Sequence, residues 1–323
     1  MPERVRVGFV GAGRLATRAH YPSLAEMDDV DLVAIAELDP DRLTATADRF
    51  GISARHSDYR VMLEREEIDA VYVIMPPHQL FDVAVACLRA GKHLMVEKPP
   101  GVTTYQTQAL AWHAEAHNSV TMVGFNRRYV PLLNRCKALV EERGPLQLCL
   151  AAFHKFADAD EQYGFYAGAV GHLTSDIIHA VDALRWLAGG EVVAVAADNR
   201  SLGMPFANSH QALLRFDTGC TAILTAHRRA GTRRHYFELH ADGISAYADD
   251  QQRAAIYRDG GSEGLAISAA EAAGSDDWHK RFRFFAENRH FIDCVKAGRQ
   301  PLTTLADAIK TMELVDRIAG AQI

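Results

Sequence analysis

The 323-residue sequence has no run of about 18 uninterrupted apolar side chains, the length a membrane-spanning helix needs, so nothing in it reads as a bilayer span. It is also poor in cysteine and has no excess of positive charge. The five cysteines, Cys87, Cys136, Cys149, Cys220 and Cys294, are scattered and include no C-x-x-C pair. That argues against a disulfide framework and a thiolate metal site, and for reduced, buried thiols. With 35 basic against 41 acidic side chains the net charge is −6, the wrong sign for a general polyanion surface, so neither nucleic acid nor an anionic membrane is expected as a partner. No repeat or low-complexity tract interrupts a composition of 48% hydrophobic and 24% charged residues, which excludes disordered, collagen-like and coiled-coil architectures. The first apolar run, Val5 to Val10, is too short for a signal peptide and leads into glycines rather than a cleavage site, so a cytoplasmic protein is expected.

What is present fits two domains, since domains run at about 150 residues each. Residues 1–124 alternate short β-branched runs (near 4–10, 31–36, 70–75, 92–96 and 120–124) with helical patterns (near 14–27, 40–50, 57–67, 78–90 and 103–118). Strand, helix, strand repetition with short links predicts a doubly wound parallel sheet, an α/β Rossmann domain that binds ligands beyond the carboxyl ends of its strands. Over 125–323 the rhythm changes to an α+β domain. Helices are predicted near 130–143 and 172–188, hairpin-spaced strands between 191 and 258, a Gly, Ser and acidic-rich surface loop from Asp259 to Asp277, and helices near 279–297 and 304–319. The second sheet is expected to be largely antiparallel.

The string VGFVGAGRLA puts Gly11, Gly13 and Ala16 in a G-x-G-x-x-A arrangement at a strand-to-helix junction. Gly11 permits the tight turn, Gly13 lets a pyrophosphate approach the backbone, and Ala16 lets the helix pack closely on the strand. Arg14 and Leu15 complete the cofactor-facing turn, and the helix end offers N–H groups and a positive dipole to the phosphates. Glu37 follows the apolar run LVAIA about 24 positions beyond Gly13, near the roughly 20-residue offset of a ribose-binding acid. A carboxylate there accepts the ribose hydroxyls and repels a 2′-phosphate, which favours NAD over NADP. Arg42 nearby is able to swing toward a 2′-phosphate and keeps dual use open.

At the end of the fifth strand the sequence reads GKHLMVEKP, Gly91 to Pro99. Together with GFVGAGRLA, the string MPP at 75–77, GFNRRY at 124–129 and GHLTSDIIHAVDALRWL at 171–187, this resembles the Gfo/Idh/MocA oxidoreductase family of inositol and sugar dehydrogenases, over nearly the whole chain and in order. The resemblance implies a sugar or polyol substrate, a homodimer or homotetramer, and a cleft into which Lys98 of the E-K-P motif projects. A lysine in a partly desolvated site beside another cation has its pKa lowered toward roughly 7 to 8, where it exchanges protons usefully. It further implies that His179 is the catalytic histidine, through the pattern His179-x-x-Asp182, and that Glu97, Pro76 and His78 lie along the cofactor.

Two departures from the family pattern stand out. The family commonly places an aspartate four residues before the histidine, where this chain has Ser175. Its aspartate is Asp176, three residues before, still a neighbour on one helix face but rotated by about 100°. Asp176 is therefore expected to orient or charge-balance the catalytic pair, with Ser175 as a substrate contact. The family often has a histidine four residues after the first proline of its T-P-x motif, where this chain has Leu80, with His78 two residues earlier. Asn126, His154, Lys155 and Tyr236 are the other expected substrate contacts, and at least one of Arg127 and Arg128 is expected in a structural ion pair.

The expected activity is hydride transfer between a secondary alcohol and the nicotinamide, with Lys98 or His179 taking the hydroxyl proton. A redox-neutral, NAD-dependent glycoside hydrolase or lyase and a catalytically silent cofactor-sensing regulator are the alternatives. No metal is expected: His113 and His117, four apart on a helix, lack a third ligand at useful spacing. The basic run of His227, Arg228, Arg229, Arg233, Arg234 and His235 reads as solvated turn residues or an oligomer contact.

Overall fold

The structure, a computed structural model, describes residues 4–156 and 170–321. The chain divides into two compact units: Met1–Gly124 with Phe284–Lys310, and Phe125–Arg283 with Thr311–Ile323. Residues 284–310 thus group with the first unit, although the sequence pattern assigns everything after 124 to the second. Among the described residues no helix is long and apolar enough to cross a membrane.

In the first unit, β1 (Val5–Val10), β2 (Val30–Ala36), β3 (Ala54–His56), β4 (Ala70–Val73), β5 (His93–Val96) and β6 (Thr121–Val123) form a parallel sheet in the order β3-β2-β1-β4-β5-β6. The central strands are buried along nearly their whole length, as a sheet covered on both faces requires. The three-residue β3 is too short to register as an apolar run. Helix starts are chemically marked. Asp39 caps Pro40–Phe50 by accepting from the N–H groups of Asp41 and Arg42, and Thr103 caps Thr104–Ala116 by accepting from Gln106. The returning segment covers the sheet edge at β6, where the Val123 N–H donates to Thr303 O at 2.7 Å and the Thr121 N–H donates to Gln300 Oε1 at 3.2 Å.

The turn after β1 requires glycine. Gly11 has φ +105°, and a Cβ there would stand 2.3 Å from Ile74 O. Gly11→Ala is therefore expected to cost at least about 2 kcal/mol, from left-handed strain and a backbone clash together. Urea unfolding checks this, and an unchanged midpoint would contradict it.

The second unit holds a sheet of β7 (Leu148–Phe156), β8 (Val192–Arg200), β9 (Ser209–Phe216), β10 (Thr221–His227), β11 (Arg229–Ala241), β12 (Ile244–Asp249), β13 (Arg253–Arg258) and β14 (Leu265–Ser268). Its order is β14-β13-β12-β11-β7-β10-β9-β8, antiparallel except where β10 pairs with β7. One face is packed, with Ala151, Phe153, Leu224 and Phe237 fully buried against the helix Ile178–Ala188 and its neighbours.

The stretch expected as a surface loop contains β14 and the helix Ala269–Ala273, begun by a reciprocal capping box between Ser268 and Glu271. The helix expected over 279–297 is broken. Trp278–Arg281 forms one turn, Arg283 adopts φ +74°, and the long helix runs from Phe284 to Ala297.

Candidate active site

In the first unit the glycine turn and Glu37 are joined directly. Glu37, just beyond β2, accepts the Ala12 N–H of the turn on Oε2 at 2.8 Å and the Asp39 N–H on Oε1 at 3.0 Å. Arg42 Nη2 donates to Oε1 at 2.9 Å. Burial pushes this carboxyl up, but the Arg42 guanidinium and the two backbone N–H groups outweigh it and hold Glu37 below its ordinary range. It is a fixed anion beside the phosphate turn. Among the described residues, no heavy atom other than those of Gly13 and its chain neighbours lies within 4 Å of where a Gly13 Cβ would stand, and Gly13, Arg14 and Leu15 are exposed while Ala16 is buried. The open backbone at Gly13 fits the approach of a dinucleotide.

A second observation fits the same ligand. Pro76 is the N-cap of the helix Pro77–Arg89, and in its first turn His78 has a buried Nδ1 with no hydrogen-bond partner among the described residues. That nitrogen retains capacity for a bound polar group. Leu80 points into the core and is fully buried. At the end of β5, Glu97 is itself buried: Oε1 lies 3.2 Å from His20 Nε2, and Oε2 accepts the Lys98 N–H at 3.1 Å. The Glu97 carboxylate is therefore engaged by its own unit, and the next residue, Lys98, is half-buried.

In the second unit a wide π turn, Leu173–Ile177, runs into the helix Ile178–Ala188, and together they carry Ser175, Asp176, His179 and Asp182. Ser175 and His179 are buried, and Asp176 is partly open. Asp176 Oδ2 lies 3.0 Å from Lys155 Nζ and 3.0 Å from Arg228 Nη2. Arg228 is fully buried, so the expectation of a solvated turn residue fails there; Arg229, Arg233 and Arg234 are exposed. Burial, then Arg228 and Lys155, push His172 down to about 4, and burial pushes His210 to about 4 as well. Both imidazoles are neutral at pH 7 and carry a lone pair able to accept a hydrogen bond.

The pleat separates residues that adjoin in sequence. Successive strand side chains face opposite sides, so Lys155 shares a face with Phe153 and reaches Asp176, while His154 lies on the other face. Tyr236 pairs with Ala152 and shares the side of His154, whereas its neighbour His235 stacks on Phe153 with centroids 4.0 Å apart. Of His154, Lys155 and Tyr236, only Lys155 stands beside Asp176. Asn126 is buried and accepts from Arg127 Nη1 at 2.7 Å. Both neighbouring arginines are in ion pairs: Arg127 lies 3.3 Å from Asp250, and Arg128 grips Asp182 at 2.6 and 2.9 Å.

Residues 5–125 match the model described as oxidoreductase family, NAD-binding Rossmann fold, and residues 135–247 match the Gfo/Idh/MocA C-terminal domain. The chain belongs to the Gfo/Idh/MocA oxidoreductase family. Among curated members of this family it is 24% identical over 335 residues to scyllo-inositol 2-dehydrogenase (NAD(+)) of Bacillus subtilis (strain 168), covering 97% of this chain and 93% of the other. Among solved structures it is similar to levoglucosan dehydrogenase in complex with NADH, with TM-score 0.86, 22% identity, and 98% and 96% of the two chains covered. It is also similar to a 3-ketoreductase from Actinomadura kijaniata in complex with NADP, with TM-score 0.81, 23% identity, and 99% and 98% covered.

Against the Gfo/Idh/MocA pattern, the aspartate beside the histidine is bound up with two cations, Lys155 and Arg228. Arg228 carried no motif signal, because its burial depends on the strand register of β10 and β11. His20 did carry one: with Ala16, Ala19, Ser23 and Leu24 it completes a helical stripe of buried positions, where a histidine needs a partner.

Proposed function

We propose that this protein is an NAD-dependent dehydrogenase that oxidises a secondary alcohol of a sugar, cyclic polyol or sugar derivative. The observation that carries the reading is the Glu37 carboxylate, held against the glycine turn by the Ala12 N–H in a chain whose family is an oxidoreductase family. When bound, the nicotinamide supplies the hydride acceptor. Gly13 leaves room for the phosphates, and Glu37 accepts the ribose hydroxyls. Lys98 and His179 exchange the hydroxyl proton, so that the carbinol oxygen becomes a carbonyl as its hydrogen leaves the carbon. Asp176 pairs with both Lys155 and Arg228, so this cluster carries one uncompensated positive charge. The names of relatives, an inositol dehydrogenase and a levoglucosan dehydrogenase among them, support a cyclic polyol or sugar as substrate.

A panel of polyols and sugars tests this by following NADH. Net accumulation is expected with at least one member. Product release with cofactor retained and no net NADH would instead favour the redox-neutral hydrolase or lyase, and binding without turnover the silent regulator.

Cofactor choice has its own test. Glu37→Gln removes the charge that repels a 2′-phosphate and frees Arg42 from its 2.9 Å partner. The ratio of kcat/KM for NADP to that for NAD is expected to rise by about 10- to 100-fold, the scale of one or two charge contacts. An unchanged ratio would remove Glu37 from cofactor discrimination.

A further inference from the structure

The Glu97 carboxylate is enclosed on three sides. His20 Nε2 lies 3.2 Å from Oε1, the Lys98 N–H donates to Oε2 at 3.1 Å, and a Cβ on Gly124 would stand 2.9 Å from the carboxylate. His20 is held in turn from its far side: its Nδ1 lies 3.1 Å from Asn288 Oδ1, while Asn288 Nδ2 donates to Phe284 O at 2.6 Å. That last bond fixes which end of the amide faces the imidazole. His20 and Asn288 are fully buried and Glu97 nearly so. A buried carboxylate costs desolvation energy that an apolar side chain of the same size would avoid, so its energetic justification is not packing. What it secures is direction, because every atom that could turn the carboxylate is itself tied down.

We infer that Asn288, His20 and Glu97 form a positioning chain that sets the backbone of Lys98 and hence the aim of its amine. The inference rests on the reading of Lys98 as a proton-exchanging group. It gives two features of the fold a common purpose. His20 ends the π turn Ala16–His20 that follows the glycine turn, so the element facing the cofactor phosphates is tied to the strand end bearing Lys98. Asn288 comes from the segment Phe284–Lys310, which returns to the first unit and closes the chain of contacts. None of the three positioning residues needs to touch substrate or cofactor.

The test uses the full-length protein and three variants. Gly124→Ala removes no functional group and pushes on the carboxylate, Glu97→Gln keeps its shape and one acceptor oxygen, and His20→Ala removes the support. Gly124→Ala and His20→Ala are expected to lower kcat by about 10- to 100-fold with KM and the NAD dissociation constant within about threefold, since misaim of a reacting group by about 1 Å costs that much. Glu97→Gln is expected to retain more activity than either. On a Lys98→Ala background, adding Gly124→Ala is expected to cost nothing further.

A readout independent of turnover is the rate at which an amine-acylating reagent modifies Lys98, followed by mass spectrometry. It is expected to change at least threefold in Gly124→Ala while other lysines react as in the parent. Equal losses in the Lys98 and Lys98→Ala backgrounds, or unchanged Lys98 labelling, would overturn the inference. Parent-like turnover of Lys98→Ala alone would overturn the reading of Lys98 instead, and the labelling rate would still decide the positioning chain.

Discussion

Lys98→Ala is expected to lower kcat by 10²- to 10⁴-fold while NAD affinity stays within about twofold, because positioned proton transfer contributes that much and the cofactor is held chiefly by other groups. The substitution leaves the backbone of the strand end in place, since the Lys98 N–H still donates to Glu97. His179→Ala is expected to act in the same direction. It lies on the helix Ile178–Ala188, which is also held through the buried Asp182–Arg128 pair. Steady-state kinetics with a fluorescence titration of NAD separates the two effects. Turnover like the parent in both variants would remove the acid and base from the account. Loss of NAD binding along with turnover would make Lys98 a cofactor-binding group first.

The largest expected effect on stability belongs to Asp182, the other acid of the His179 pattern. Asp182 is fully buried, Arg128 donates to both of its oxygens at 2.6 and 2.9 Å, and Thr311 Oγ1 donates to Oδ1 at 2.9 Å. Asp182→Ala leaves a buried guanidinium without its counter-charge, and the expected cost is about 3–5 kcal/mol. The pair Asp182→Leu with Arg128→Met is expected to recover most of that loss, since a buried ion pair replaced by apolar groups of similar volume is often near neutral. Urea unfolding of the three proteins measures it. A single variant as stable as the parent would mean that Arg128 finds another partner at little cost. The Thr311 contact also explains why the chain end returns to this unit after the segment Phe284–Lys310 has left it.

The parts legible in the sequence are those whose physics is local. A glycine forced to φ +105° against Ile74 O and an acid just after the next strand sit within a few dozen residues of each other, so the dinucleotide turn can be read from a short string. Lys98 is singled out by the resemblance of the E-K-P string and its flanking motifs to the family, not by its place after a strand. The helix carrying His179 ends where Gly189, at φ +66°, stops it.

Features set by register and chain path were not legible. Whether His154 or Lys155 faces Asp176 depends on the pairing of β7 with β10 and β11, and a shift of one residue would exchange them. Arg228 reads as a turn residue until those strands bury it beside Asp176. Asn288 lies far along the chain from His20, and no periodicity could have joined them. The capping box at Ser268 and Glu271 was readable as an S-x-x-E signal, but the surrounding Gly, Ser and acidic composition masked it.

The most direct test of the central claim uses an alcohol substrate from the panel bearing deuterium on its carbinol carbon, incubated with stoichiometric NAD and analysed by mass spectrometry. The account predicts that reduced cofactor accumulates with one deuterium per ketone formed, and at least about 100-fold more slowly in Lys98→Ala than in the parent. Product formed with the cofactor still oxidised and the deuterium returned to the product would contradict net alcohol oxidation and identify a redox-neutral reaction instead.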